Sequence, residues 1–291
     1  MDKFGTSLLA VGTLACLTFA SVVQAQQTSS KLPAQDGRDA CGISLKAEVQ
    51  PRALVALTLT GSCLPNETIV LHHSGLMVSL KTDSSGIAKI IVPALVKKAI
   101  FIATYDNGDG ALTMIDVPDM ARYQRIVLQW QGAKGVQLHA YKDGAGYGTE
   151  GHFWSQTGAL DADKPDGDRG FFSLLGDAKL SDGFHAEIAS FPAQKLLDTQ
   201  AVSLSIETEI TVENCGRTIA GELLMRATDM KSDTQSSHDS DSRGLTLFVP
   251  ECDMVGDFIV MKNVIENLNL SFMRGFNSLA QHGIGALRIA D

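Results

Sequence analysis

Between residues 43 and 49 the chain reads Ile-Ser-Leu-Lys-Ala-Glu-Val, apolar at odd positions and polar at even ones. That period of two marks a strand with one face buried. Short runs rich in Val, Ile, Leu and Thr follow at 54–60, 69–73, 76–80, 87–92, 100–105 and 112–117. Turn residues punctuate them, as in Leu64-Pro65-Asn66-Glu67, Asp83-Ser84-Ser85-Gly86 and Asp106-Asn107-Gly108-Asp109-Gly110. About seven short strands at roughly ten-residue spacing predict a β-sandwich over 41–120.

Beyond a connector at 117–122, strand patterns resume at 125–130 and 136–141. In the latter, Val136, Leu138 and Ala140 share one face, and Gln137, His139 and Tyr141 the other. A Gly-rich, acidic loop spans 142–170. Further strands are predicted at 184–188, 201–212, 218–227 and 245–249, the clearest setting Val202, Leu204 and Ile206 against Ser203, Ser205 and Glu207. Residues 229–243 have no apolar period and read as a mobile loop. From 257 to 272, Phe258, Met261, Ile265, Leu268 and Phe272 fit a helix face, whereas Leu268, Leu270 and Phe272 also fit a strand; helix is the favoured reading. The fold class is therefore all-β. An N-terminal immunoglobulin-like sandwich over 41–120 precedes a larger antiparallel β domain over 121–274 with a short C-terminal helix. A weakly ordered tail occupies 275–291.

The first residues carry a different pattern. Lys3 precedes an apolar stretch from Leu8 to Val23, and Val23-Gln24-Ala25 sets small residues at the −3 and −1 positions of a cleavage site. This is the pattern of a secretory signal peptide over 1–25, with Gln26 as the first mature residue. An uncleaved anchor helix and a lipoprotein carrying its lipid on Cys16 are the competing readings. Residues 26–40 are polar and turn-rich, a flexible spacer. Export implies a periplasmic or secreted protein with no membrane span in the mature chain. Four cysteines remain there, an even number in an oxidising compartment. The expected pairs are Cys41–Cys63 and Cys215–Cys252, one per domain. A four-cysteine zinc site is disfavoured because no C-x-x-C pair occurs.

Two resemblances go with these patterns. The stretch Thr82-Asp83-Ser84-Ser85-Gly86-Ile87-Ala88, followed by Ile91-Val92-Pro93-Ala94, is similar to the hairpin of bacterial Ig-like modules in cell-envelope proteins. In such a hairpin Asp caps the turn and Gly takes the positive φ. The likeness covers about 75 residues and implies a fold, not an activity. Secondly, Val117-Pro118-Asp119, the run from Arg125 to Gly132, Gln137-Leu138-His139-Ala140, Gly144-Ala145-Gly146-Tyr147-Gly148 and the run from Gly256 to Asn263 resemble a family of uncharacterised exported alphaproteobacterial proteins. Some members carry the label translocase. The resemblance implies no catalytic residues, and a translocase needs membrane spans or a nucleotide site.

A net charge of −9 with no basic cluster argues against nucleic acid as a partner. No nucleophile elbow, P-loop, H-E-x-x-H or dinucleotide fingerprint occurs, so no cofactor is predicted. The Gly144, Gly146, Gly148, Gly151 run leads into no helix and reads as a flexible loop. The acidic runs 161–168 and 106–109 offer carboxylates for calcium but miss the EF-hand spacing, and read as solvated turns. His72 and His73 are strand neighbours on opposite faces and cannot easily share a metal. His139, His185 and Glu187 lie on polar strand faces; if those strands are adjacent, two imidazoles and a carboxylate converge as a zinc ligand set. Tyr147, His152, Phe153 and Trp154 stand in the Gly-rich loop as a candidate contact patch for an envelope protein or a glycan, while Trp130 is predicted to be core. The reading is a binding or scaffolding module. A secreted metal-dependent hydrolase, with its site around His139, His152 and His185, is the alternative.

Overall fold

The computed structural model describes residues 28–31, 42–132, 135–157, 170–193, 202–226 and 241–265. The first part is built from β1 (Thr28–Lys31), β2 (Ser44–Gln50), β3 (Leu54–Thr60), β4 (Thr68–His73), β5 (Leu76–Lys81), β6 (Ile87–Pro93), β7 (Lys98–Tyr105) and β8 (Gly110–Asp116). They form sheet I, ordered β1-β8-β7-β4-β5, and sheet II, ordered β2-β3-β6. The alternation read from the sequence is the packing itself. Leu45 and Ala47 of β2 meet Ile69, Leu71, Phe101 and Ala103 of sheet I in one core. The hairpin turn at 83–86 works as its residues dictate. Asp83 Oδ1 accepts the N–H groups of Ser85 and Ile87 at 2.8 and 2.9 Å. Gly86 sits at φ +73°, where a Cβ would lie 2.0 Å from the Gly61 carbonyl oxygen.

The second part comprises β9 (Tyr123–Gln131), β10 (Val136–Lys142), β11 (His152–Phe153), β12 (Phe171–Leu175), β13 (Phe184–Pro192), β14 (Val202–Glu209), β15 (Thr218–Arg226), β16 (Asp241–Phe248) and β17 (Phe258–Ile265). Sheet III has the order β12-β13-β9-β15-β16 and sheet IV the order β11-β10-β14-β17. Every pairing is antiparallel, as the all-β expectation requires. Sheet III is covered on both faces. Val127, Ala186, Ile188 and Leu224 join the first core, whereas Ile126, Leu128, Ala189 and Leu223 pack against sheet IV. That double burial is why β9 is buried at every position from Tyr123 to Trp130. Trp130 is core, as predicted.

Burying β9 traps polar side chains, and two of them, Arg125 and Gln129, are tied to backbone of the first sandwich. Arg125 is fully buried and donates from Nη1 to the carbonyls of Ala53 and Ala94 and from Nη2 to that of Arg52, the last at 2.7 Å. Gln129 bridges the same junction: its Oε1 accepts from Met77 N at 2.9 Å and its Nε2 donates to the Gly75 carbonyl at 3.0 Å. These contacts fasten sheet III to the first sandwich.

Several expectations are corrected. The helix expected over 257–272 is strand β17 from 258 to 265; residues 266–272 and the tail lie outside the described residues. Residues 28–31, expected as spacer, form β1 on the edge of sheet I, and the predicted loop at 229–243 gives way to β16 at Asp241. Cys215 and Cys252 are joined by a disulfide, as predicted. Cys63 is also disulfide-bonded, and Cys41 lies outside the described residues, as does the signal segment. Among the described residues no helix is long and apolar enough to cross a membrane.

Candidate functional site

The outer face of sheet IV carries the polar half of the β10 and β14 alternation. Val136, Leu138 and Ala140, with Leu204 and Ile206, face the second core. Gln137, His139 and Tyr141 must therefore point outward, opposite Glu207, Ser205 and Ser203. Such a face would be wet, but the chain after β10 folds back over it. Lys142 N donates to Gly151 O at 2.9 Å, and β11 then sets His152 opposite Tyr141 and Phe153 opposite Ala140. Gly151 allows the return because its φ is +102°, and a Cβ there would lie 3.0 Å from that of Ala145. The alternation of β11 sends Phe153 inward, edge-on to Phe172 and Phe191, and His152 outward.

The returning segment lays rings over the face. Trp154 stacks on His139 with centroids 4.5 Å apart, and His152 stacks on Tyr141 at 4.6 Å. Tyr147 lies 4.7 Å from the His152 ring and is 64% exposed. Under this cover His139 is 1% and Glu207 5% exposed.

Hydrogen bonds fix the proton positions. His152 Nδ1 accepts the Gly148 N–H at 2.9 Å, so a neutral His152 carries its proton on Nε2. That N–H donates to His139 Nδ1 at 2.8 Å, and His139 must then use Nε2–H to reach Gln137 Oε1 at 3.2 Å. The Tyr141 hydroxyl donates to Glu207 Oε1 at 2.7 Å. The same carboxylate oxygen lies 3.4 Å from His139 Nδ1. Burial, and then the neighbouring His152, push His139 down to about 4. At neutral pH the His139–Glu207 contact is therefore not an ion pair. His152 is lowered too, by burial, with Glu207 pulling the other way. Burial and the bond to Glu207 raise Tyr141.

His139, His152, Tyr147 and Trp154 are thus brought together, and Phe153 is withdrawn into the core. His185 and Glu187 do not join them. Both lie on β13 in sheet III, so sheet IV stands between them and the outward His139. His185 is buried beside Trp130, with Nε2 3.3 Å from the Leu180 carbonyl. Glu187 projects into the second core, where Oε2 accepts the Leu138 N–H at 2.6 Å. Burial pushes its carboxyl up to about 7, against the Leu138 and Ser155 hydrogen bonds, which lower it. The third member of the cluster is Glu207. Among the described residues His139, His152 and Glu207 offer ligand atoms all within 4.8 Å of one another. Glu207 stood on the polar side of a clean alternation, but only the β10–β14 pairing shows what it faces. The turn at 106–109 is self-satisfied, with Asn107 Oδ1 accepting the Asp109 N–H at 2.9 Å, and the 161–168 run lies outside the described residues. No family model, no characterised protein and no solved structure matches this chain significantly.

Proposed function

We propose that this is an exported envelope protein that binds a partner through the ring-covered outer face of sheet IV. The observation that carries the reading is the stack of Tyr147, His152, His139 and Trp154, with Tyr147 64% exposed at its open end. A large, mostly exposed ring beside further rings is the arrangement that dominates contact surfaces and stacks on sugars or peptide side chains. The apolar segment at 1–25 and the Cys215–Cys252 disulfide support a periplasmic or secreted location. The seven strands β2 to β8, split as β2-β3-β6 against β8-β7-β4-β5, support the Ig-like reading of the first part, with sheet III anchored on it. The hydrolase alternative loses one of its three histidines, because His185 belongs to the other sheet.

Capture from envelope extract, and titration with soluble envelope glycans followed by tryptophan fluorescence, test the reading. With two tryptophans in the chain and Trp130 buried, Trp154 is the reporter. Tyr147→Ala should weaken capture at least tenfold without lowering the melting temperature. An unchanged captured set would overturn the assignment of this face.

A further inference from the structure

We propose that His139 Nδ1, His152 Nε2 and Glu207 Oε1 form a binding site for one divalent transition-metal ion of the zinc class. Two imidazoles and a carboxylate are a common donor set for such ions, with a fourth position left to water or to a group on a bound molecule. The three donors come from β10, β11 and β14, adjacent strands of one sheet, so the frame is rigid where it matters. The outer partners are those a metal site needs. Gln137 Oε1 holds the Nε2–H of His139 and leaves Nδ1 as a lone pair aimed at the carboxylate. The Tyr141 hydroxyl fixes the Glu207 carboxylate by the oxygen that would ligate. The stacked Trp154 ring keeps water from the His139 side.

Without the ion, the His152 Nε2–H fills the gap, at 2.8 Å from His139 Nδ1. Donors on a tetrahedral zinc with bonds of about 2.0–2.1 Å stand roughly 3.3–3.4 Å apart. Binding must therefore move His152 away from His139 by about half an ångström and shift its proton from Nε2 to Nδ1. An Nδ1–H cannot accept from Gly148, so the Gly148 N–H must let go. No proton leaves the protein in this exchange; the two hydrogen bonds made by the His152 ring are given up and three metal bonds form. The segment that has to yield is the one that can. It runs through Gly144, Gly148 and Gly151, all at positive φ, and Gly148 is exposed. The metal and the turn at 144–151 are thus coupled: the ion reorganises the turn that carries Tyr147. This inference goes beyond the partner-binding reading, and its test involves no partner.

The mature chain, stripped with a chelator, is titrated with Co(II) and then Zn(II). One equivalent of Co(II) should bind, with the visible d–d bands of a low-coordinate site, and Zn(II) should displace it. His152→Ala and Glu207→Gln should each weaken binding at least tenfold. Tyr141→Phe should weaken it less, since it acts only by positioning Glu207. His72→Ala, on β4 of the first sandwich, should change nothing. Long-range ¹H–¹⁵N correlation on the Zn(II)-loaded wild type should report one ring metallated at Nδ1 and one at Nε2, with the largest amide shifts in 144–152 and smaller ones beside His139 and Glu207. Failure to bind one equivalent, binding that survives both ligand substitutions, or metallation at Nε2 alone would overturn the site. The spectra on the unsubstituted chain decide the matter should a variant not fold.

Discussion

Arg125 and His139 are both polar side chains with at most 1% exposure, and they are buried in opposite ways. Arg125 lies between the first sandwich and sheet III. Its two terminal nitrogens are committed to three backbone carbonyls from segments some 30 and 70 residues away in sequence. Burial pushes the guanidinium down to about 9, still protonated at neutral pH. His139 lies under a turn-rich segment. Its partners are side chains, and its Nδ1 lone pair faces both an N–H donor and a carboxylate. The first arrangement has one solution, because backbone carbonyls cannot rearrange without undoing the strands. The second has at least two, because a tautomer and a glycine turn can change while the strands stay put. The two burials differ in whether the partners are free to move.

The largest effect should come from breaking the first of these. Arg125→Met removes the donors to three carbonyls, two buried and one half-buried, while keeping most of the volume. Each orphaned acceptor costs about 1–3 kcal/mol, partly relieved by relaxation, for a loss of about 4 kcal/mol in denaturant unfolding. The corresponding change in the second region, His139→Gln, leaves no backbone group orphaned and should cost less than half as much. Equal losses would dissolve the distinction between the two sites.

The two tryptophans sharpen it. Trp130 is in the second core, and Trp130→Ala should cost about 3–5 kcal/mol. Trp154 is half-buried, packed on one imidazole face, and Trp154→Ala should cost about 1–2 kcal/mol, mostly lost stacking and area. A Trp154 penalty as large as that of Trp130 would make it a core residue and remove it from the contact face.

A smaller effect, read against pH, separates Glu187 from the cluster that it was expected to join. Its carboxyl is raised from 4.5 to about 7, so the folded chain holds that proton more tightly than the unfolded chain. Its contribution is fully present below about 4.5 and is lost as pH rises through 7. His139, lowered from 6.5 to about 4, acts in reverse: its contribution is present above 6.5 and is lost as pH falls toward 4. Glu187→Gln removes only the first term. The variant should therefore gain on the wild type between pH 4.5 and 7 in urea unfolding and hold a constant difference above. A flat difference across that window would mean that Glu187 is not desolvated.

The strands of the first sandwich were legible because each buries one face, and a period of two survives in the sequence. β17 was not, and the reason is local. Leu204 and Ile206, two residues apart on β14, pair with Ile265 and Met261, four apart on β17. The extra residues form an irregularity with Asn263 at φ +53°, and they stretch a strand spacing into a helical one. Glu187 and His185 misled for another reason. Their side of β13 is polar in part, which reads as a wet face, but sheet IV covers it. Gln137, His139 and Tyr141 were legible as one face. Their partner Glu207 lies some 70 residues along the chain, and strand order is not encoded in alternation.

Tyr147 carries the least energy and the sharpest consequence. It is the most exposed ring of the cluster and lies tilted at 37° to the His152 ring. Exposed substitutions away from caps and strained backbone lie within about 0.5 kcal/mol, so Tyr147→Ala should leave the unfolding curve in place. Its neighbours Gly146 and Gly148 lie in a turn held by the Gly148 N–H on His152 Nδ1 and the Thr149 N–H on the Gly146 carbonyl, so the ring faces solvent from an ordered turn. On the proposed reading, the ring meets a partner outside the chain. If so, Tyr147→Phe should retain partner capture where stacking alone matters, and Tyr147→Ala should lose it, at equal stability throughout. Capture lost equally in both would assign the contact to the hydroxyl. Capture kept in both would return the ring to the solvated surface and leave Trp154 and His139 as a closed, structural pair.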